Sequence, residues 1–232
     1  RTVVATTRGV CRYNEVSWEP FLEVSSVRAL VIDNDNTLWA GASPKLWRHD
    51  GREWTLYDEV DWLDELTIYS LAVDAGNKKW IGTGGGLFSY GDDGWYYWED
   101  DDGFVIDYIP NIMVDRANLL WVNAGQKRSV FTFDGESWRE HENPSGNLRY
   151  PVSAMVTDMN NTKWFGTRAG ITSYNDTTWV DYTQINGTDI PGINTLATDN
   201  NNILWAGTDE GVYSFDGETW THYTAEDGLI YD

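Results

Sequence analysis

The sequence predicts an all-β fold, a β-propeller with five complete four-stranded blades and a partial sixth formed by the N-terminal strands. Three observations predict it. A unit of 41 to 43 residues recurs, opened by Asp33, Asp74, Asp115, Asp158 and Asp199. A tryptophan follows each aspartate by six residues (Trp39, Trp80, Trp121, Trp164, Trp205), and a second follows the first by 15 (Trp54, Trp95, Trp179, Trp220) or, in the third unit, by 17 (Trp138). Between these marks, short runs alternate apolar and polar residues with period two, separated by Asp, Asn and Gly, and helical periodicity is absent. Four antiparallel strands per forty-odd residues make one propeller blade.

The N-terminal piece, residues 1–21, joins the register with Val3 at the first tryptophan position, Val10 opening a third strand and Trp18 as the second tryptophan. It therefore supplies strands two, three and four without a first. Complete repeats follow at about 22–62, 63–103, 104–146, 147–187 and 188–232 within a single domain. In the last, INTLATD, ILWAGT, VYSFD and TWTHYT read as the four strands. The turn between the first two strands recurs as DNDN, DAGN, DRAN, DMNN and DNNN, where Asp and Asn side chains hydrogen-bond a tight turn. Gly86, Gly170 and Gly211, after the second strand, suit a positive φ. The two-residue insertion of the third unit falls in NAGQKRS, before its third strand. Of the 14 tryptophans, all but Trp47, Trp62 and Trp98 occupy the two repeat positions, which points to burial between blades.

Three stretches are closest to one another: DAGNKKWIGTGGGLFSY, DMNNTKWFGTRAGITSYN and DNNNILWAGTDEGVYSFD. They resemble the two-component regulator propeller repeat, with its Asp, turn, Trp-x-Gly-Thr, Gly, aliphatic residue and aromatic before Asp or Asn. The resemblance covers nearly the whole chain. It implies an extracytoplasmic sensor-type binding module, of the kind that membrane histidine kinases use, often in response to polysaccharides. The first unit (AGASPKL) and the third (VNAGQKRSV) depart from the Gly-Thr-x-x-Gly pattern, so their loops are where added function is expected.

Composition narrows the partners. A net charge of −21 argues against nucleic acid or an anionic membrane surface, both of which need clustered Lys and Arg. No apolar run approaches the roughly 18 residues of a membrane-spanning helix. Cys11 is the sole cysteine, so no intrachain disulfide forms. His49, His141 and His222 fall in different blades without metal-ligand spacing, and the run Asp100, Asp101, Asp102 lacks the alternating ligands of a calcium loop. No catalytic constellation, metal site or cofactor is expected. Sequons at Asn160, Asn175 and Asn186 add weight to an extracellular or periplasmic location.

Ligand-binding candidates are expected at the end of the blades that carries the loops between strands two and three and the links between blades: Arg8, Arg168, Trp62, Lys127 and Arg128, with Asp209 and Glu210 beside them. Adjacent cations in an acidic chain suit a carboxylate or sulfate, and Trp62 suits a sugar ring or a partner surface. The partial blade exposes an edge at Thr2, Val3, Val4 and Ala5, and Leu229, Ile230 and Tyr231 begin a strand that would complete it. More sequence, a three-stranded blade, or a strand from another molecule would each satisfy this edge. The expectation is a non-enzymatic module whose partner is a protein, a second copy of itself, or a glycan. The alternatives are a structural subunit polymerising by strand complementation and, more weakly, a carbohydrate-active enzyme.

Overall fold

Each repeat becomes a small antiparallel sheet because its alternating runs end at residues that turn the chain. A computed structural model describes residues 2–57, 66–98, 108–123, 129–142, 148, 150–185 and 187–229. The chain divides into two compact units, Arg1–Val114 and Asp115–Asp232. In the first, β1 (Thr2–Thr6), β2 (Gly9–Tyr13) and β3 (Trp18–Leu22) form a three-stranded sheet with β1 at its edge. A four-stranded sheet follows from β4 (Val27–Ile32), β5 (Leu38–Ala42), β6 (Lys45–His49) and β7 (Trp54–Tyr57), and another from β8 (Ile68–Val73), β9 (Lys79–Thr83), β10 (Gly86–Gly91) and β11 (Gly94–Trp98). Strand β12 (Asn111–Val114) opens the next blade, which β13 (Leu120–Asn123), β14 (Val130–Phe133) and β15 (Trp138–His141) complete.

The second unit continues with β16 (Val152–Thr157), β17 (Lys163–Thr167), β18 (Gly170–Tyr174) and β19 (Trp179–Tyr182). A short hairpin of β20 (Gln184–Ile185) and β21 (Thr188–Asp189) precedes β22 (Ile193–Thr198), β23 (Leu204–Thr208), β24 (Gly211–Phe215) and β25 (Trp220–Tyr223). A 3-10 turn, Ala225–Asp227, follows. The architecture is the expected one: propeller blades, five with four strands and one, at the N-terminus, with three. The β20–β21 hairpin was not expected; it sits within a link between blades.

The spacing of aspartate and tryptophan has a direct cause. Asp33 Oδ1 accepts the backbone N–H of Asp35 and Thr37 at 3.1 and 2.9 Å, closing the turn, while Oδ2 accepts Trp39 Nε1 at 2.8 Å. The same indole bond recurs at 3.0 Å from Trp80 to Asp74, 3.0 Å from Trp121 to Asp115, 3.1 Å from Trp164 to Asp158 and 3.2 Å from Trp205 to Asp199. The indole N–H and the carboxylate, both buried in the blades of Asp33, Asp115 and Asp158, thus satisfy each other.

The asparagine closing each turn, Asn36, Asn77, Asn118, Asn161 or Asn202, has φ of 62° to 64°. Asn tolerates this left-handed conformation better than other residues with a Cβ. Its side chain also reaches the neighbouring blade: Asn77 Oδ1 accepts Asn34 N–H at 2.9 Å, Asn161 accepts Arg116 N–H at 2.8 Å, and Asn202 accepts Met159 N–H at 2.6 Å. The glycines expected at positive φ, Gly86, Gly170 and Gly211, have φ of 118°, 118° and 109°.

Blades pack through aromatic rings. In the first unit Trp39, Leu46, Tyr57, Ile68, Ile81 and Phe88 form one buried cluster, with Trp95 against Tyr57 at 5.9 Å between centroids. In the second, Trp220 meets Tyr182 at 5.6 Å. Trp18, at the equivalent position of the three-stranded sheet, is 52% exposed. Between strands, Gly41 and Gly166 allow the next blade to approach: a Cβ on either would lie 2.5 Å from Cγ2 of Ile68 or Ile193.

Candidate functional site

Four blades share a break in register. The pairing of first and second strands slips by one residue between Val27 and Ala29, Ile68 and Ser70, Val152 and Ala154, and Ile193 and Thr195. The extra residues are Arg28, Tyr69, Ser153 and Asn194, each five before its repeat aspartate. A bulge re-aims its extra side chain relative to the regular alternation of the strand. The residue before each bulge is uniform in kind, a buried Val or Ile, whereas the bulged residues are a cation, a phenol, a hydroxyl and an amide. The backbone device recurs in these four blades while the residue type at it changes.

In the first unit the bulges assemble a small polar platform. The Arg28 guanidinium lies 5.4 Å from the centroid of the Tyr69 ring, and Tyr69 meets Tyr108 edge to face at 4.9 Å. Burial pushes the Tyr108 phenol above its ordinary pKa and the neighbouring Tyr69 adds to this, while the charge of Arg28 opposes it. Arg8 is exposed in the turn between β1 and β2, its N–H donating to Thr6 Oγ1.

In the second unit the corresponding end carries Ser153, whose Oγ donates to Gly166 O at 3.1 Å and also to Ile193 O. Asn194 Nδ2 donates to Asp209 Oδ1 at 2.6 Å, and His222 Nε2 lies 2.8 Å from Glu210 O. Arg168, exposed in the turn between β17 and β18, lays its guanidinium 4.5 Å from the Tyr150 ring centroid. The chain therefore folds so that Arg8, Arg168, Asp209 and Glu210 all lie in turns between second and third strands. Trp62, Lys127, Arg128, Ile230, Tyr231, Asn186 and the run Asp100 to Asp102 lie outside the described residues. Thr2, Val3, Val4 and Ala5 are in β1, and Leu229 follows the 3-10 turn with its N–H on Thr224 O.

The opposite ends of the blades hold clefts between turns. One, of about 310 Å³, is lined by Asn160, Trp164, Asn175, Tyr182 and Phe215 among others. Both sequon asparagines are exposed there, and Asn175 Oδ1 accepts the N–H groups of Thr177 and Thr178. A second cleft, of about 260 Å³, includes Trp121, Thr132, Arg139, His141 and Asp176. Beneath it Lys163, wholly buried, pairs with Asp115 at 3.4 Å and with Asp176. His141 lies 2.9 Å from Thr132 Oγ1 and against the Trp121 ring, and burial, aided by Arg139, lowers its pKa to about 4. Among the described residues no group of three His, Cys, Asp or Glu is placed to hold a metal ion, and no helix is long and apolar enough to cross a membrane.

Sequence reasoning missed Arg28, Tyr69, Tyr108, Ser153 and Asn194. For Arg28, Tyr69, Ser153 and Asn194 the available signal was the repeat position five before each aspartate, directly after a Val or Ile; in the third unit that position is Pro110, and Tyr108, seven before Asp115, carried no such signal.

No family model and no curated protein matches the chain. Solved structures do. The extracellular domain of the hybrid two-component system BT4673 from B. thetaiotaomicron superposes with a TM-score of 0.79 at 18% identity, over 99% of this chain and 33% of that one. The extracellular domain of BT3049 from the same bacterium gives 0.74 at 21% identity, over 91% and 31%. A catalytically inactive virginiamycin B lyase from Staphylococcus aureus gives 0.72 at 13% identity, over 95% and 82%. The chain thus spans about a third of the length of the two extracellular domains. They share its fold, in keeping with the resemblance of its repeats to two-component regulator propellers; the likeness to the lyase is likewise one of fold.

Proposed function

We propose that this chain is a non-enzymatic ligand-binding module of an extracellular or periplasmic protein, recognising a glycan or a protein through the blade ends where second and third strands are joined. The supporting observation is the bulge position. Four blades keep the backbone device while the residue at it differs, which is how a repeat scaffold tunes a binding surface on a constant backbone. Arg8 and Trp62 in the first unit, and separately Lys127, Arg128 and Arg168 in the second, are the proposed contact residues of these blade ends. The test is a polysaccharide array probed with the wild type, Arg168→Ala and Trp62→Ala. Binding reduced at least several-fold in a variant that melts normally supports the assignment; undiminished binding in both removes those residues from the surface. The sequons at Asn160, Asn175 and Asn186 are proposed glycan acceptors, read by intact mass before and after enzymatic deglycosylation.

A second reading rests on the three-stranded sheet. Strand β1, with Thr2, Val3, Val4 and Ala5, is at an edge, and Trp18 is far more exposed than its half-buried equivalents. An edge strand beside an uncovered aromatic is suited to accept a strand from another molecule. Native mass spectrometry decides: multiples of the chain mass that vanish when a repeat-like first strand is added after Asp232 support assembly, and a monomer at all concentrations rejects it.

A further inference from the structure

We infer that Arg28, Tyr69 and Tyr108 form a subsite for a sugar carboxylate, the acidic group of a uronic acid. This inference rests on the binding-module reading and names the chemistry of one part of it. The three residues come from different blades yet converge, the guanidinium on the face of Tyr69 and Tyr69 against Tyr108. Arg28 is exposed, and among the described residues no carboxylate pairs with it, although acids outnumber bases 37 to 16. In so acidic a chain an exposed arginine stacked on a ring keeps its fork of N–H donors available to an anion supplied from outside.

The donor set defines the anion. The guanidinium offers a planar fork of N–H groups that matches a carboxylate, and the two phenols, with no hydrogen-bond partner among the described residues, each offer an O–H. Every group is a donor when the phenols are protonated, so the complement is rich in acceptors. The surrounding charge sets its density. A chain at −21 repels closely spaced anions such as nucleic acid or a run of glutamates. A saccharide carrying one carboxylate per ring, with hydroxyls between, brings the needed charge with little repulsion. The half-buried tyrosines supply flat apolar flanks for its ring.

The test is an NMR titration of the whole chain with D-glucuronate, D-glucose and acetate at constant ionic strength, following the Arg28 Nε–H and the rings of Tyr69 and Tyr108. Glucuronate is expected to shift all three and saturate at a lower concentration than acetate, and glucose to leave them unmoved. Arg28→Gln, an exposed change, is expected to weaken the tyrosine shifts roughly tenfold or more. Arg28→Lys keeps the charge without the fork and is expected to fall between. Acetate matching glucuronate would mean an adventitious ion only, and overturns the inference, as do unmoved signals with glucuronate or an unaffected Arg28→Gln. Glycan-array binding that survives in Arg28→Gln while glucuronate fails would remove this subsite alone and leave the binding module standing.

Discussion

Two buried lysines show how single residues tie blades together. Lys79 Nζ lies 3.1 Å from Asp33 Oδ2, and Lys163 pairs with Asp115 and Asp176; each also donates to a turn carbonyl, that of Asn77 or Asn161. The same repeat position holds Leu38, Leu120 and Leu204 in the other four-stranded blades, all buried. The lysine is therefore not required by the fold. Lys163→Leu is expected to cost less than about 2 kcal/mol, because the Asp115 carboxylate keeps the N–H groups of Ala117, Leu119 and Trp121. Asp115→Ala removes those three bonds and one counter-ion of a wholly buried ammonium, and is expected to cost about 3–5 kcal/mol. Urea unfolding of the two variants decides; equal losses would show that the ion pair, not the turn, dominates.

His141 carries a pH signature. Its folded pKa of about 4 lies below the ordinary value of 6.5, so as pH falls the unfolded chain takes up this proton first. Stability from this group is intact above pH 6.5, drains between 6.5 and about 4, and falls no further below that. His141→Gln retains a partner for Thr132 and is expected to lose less stability than the wild type between pH 7 and pH 4.5, by urea midpoint. Asp33 acts in a lower window. Burial works to raise its carboxyl, but hydrogen bonds from Trp39 and Thr37, together with the bond and charge of Lys79, outweigh this and lower it. Its contribution is present above the usual carboxylate range and is lost as pH falls through its lowered folded value.

At the scale of an element, the turn between first and second strands combines two demands that substitution can separate. Asn202 needs φ near 64° and accepts Met159 N–H from the neighbouring blade. Asn202→Gly meets the first demand and loses the second, for about 1 kcal/mol. Asn202→Ala loses both, and is expected to cost about 1–2 kcal/mol more. Equal melting temperatures for the two variants would deny any backbone cost. Such turns were legible in the sequence because aspartate, asparagine and tryptophan recur at fixed intervals. The bulges were hidden, since a one-residue slip leaves composition unchanged and shifts only which side chain faces out. The Arg28 platform was harder still: its members are 41 and 39 residues apart, and only the first two share a repeat position. The β20–β21 hairpin escaped because its strands are too short to show alternation.

For the whole molecule, charge is the dominant quantity. Thirty-seven acids against 16 bases leave most carboxylates without a cation, so mutual repulsion opposes folding. The melting temperature is expected to rise between 0.01 and 0.15 M NaCl, as the screening length shrinks from about 30 to about 8 Å. A fall would mean that the paired lysines at 79 and 163 outweigh the unpaired acids.

The bond from tryptophan to aspartate also gives each complete blade its own clock. An indole proton held by the turn carboxylate exchanges with solvent only when that turn opens, so five signals time five openings independently. Rates that converge on one value would describe an array that opens as a unit. Rates that decline toward one end would locate where unravelling starts, and so which neighbours each blade relies upon.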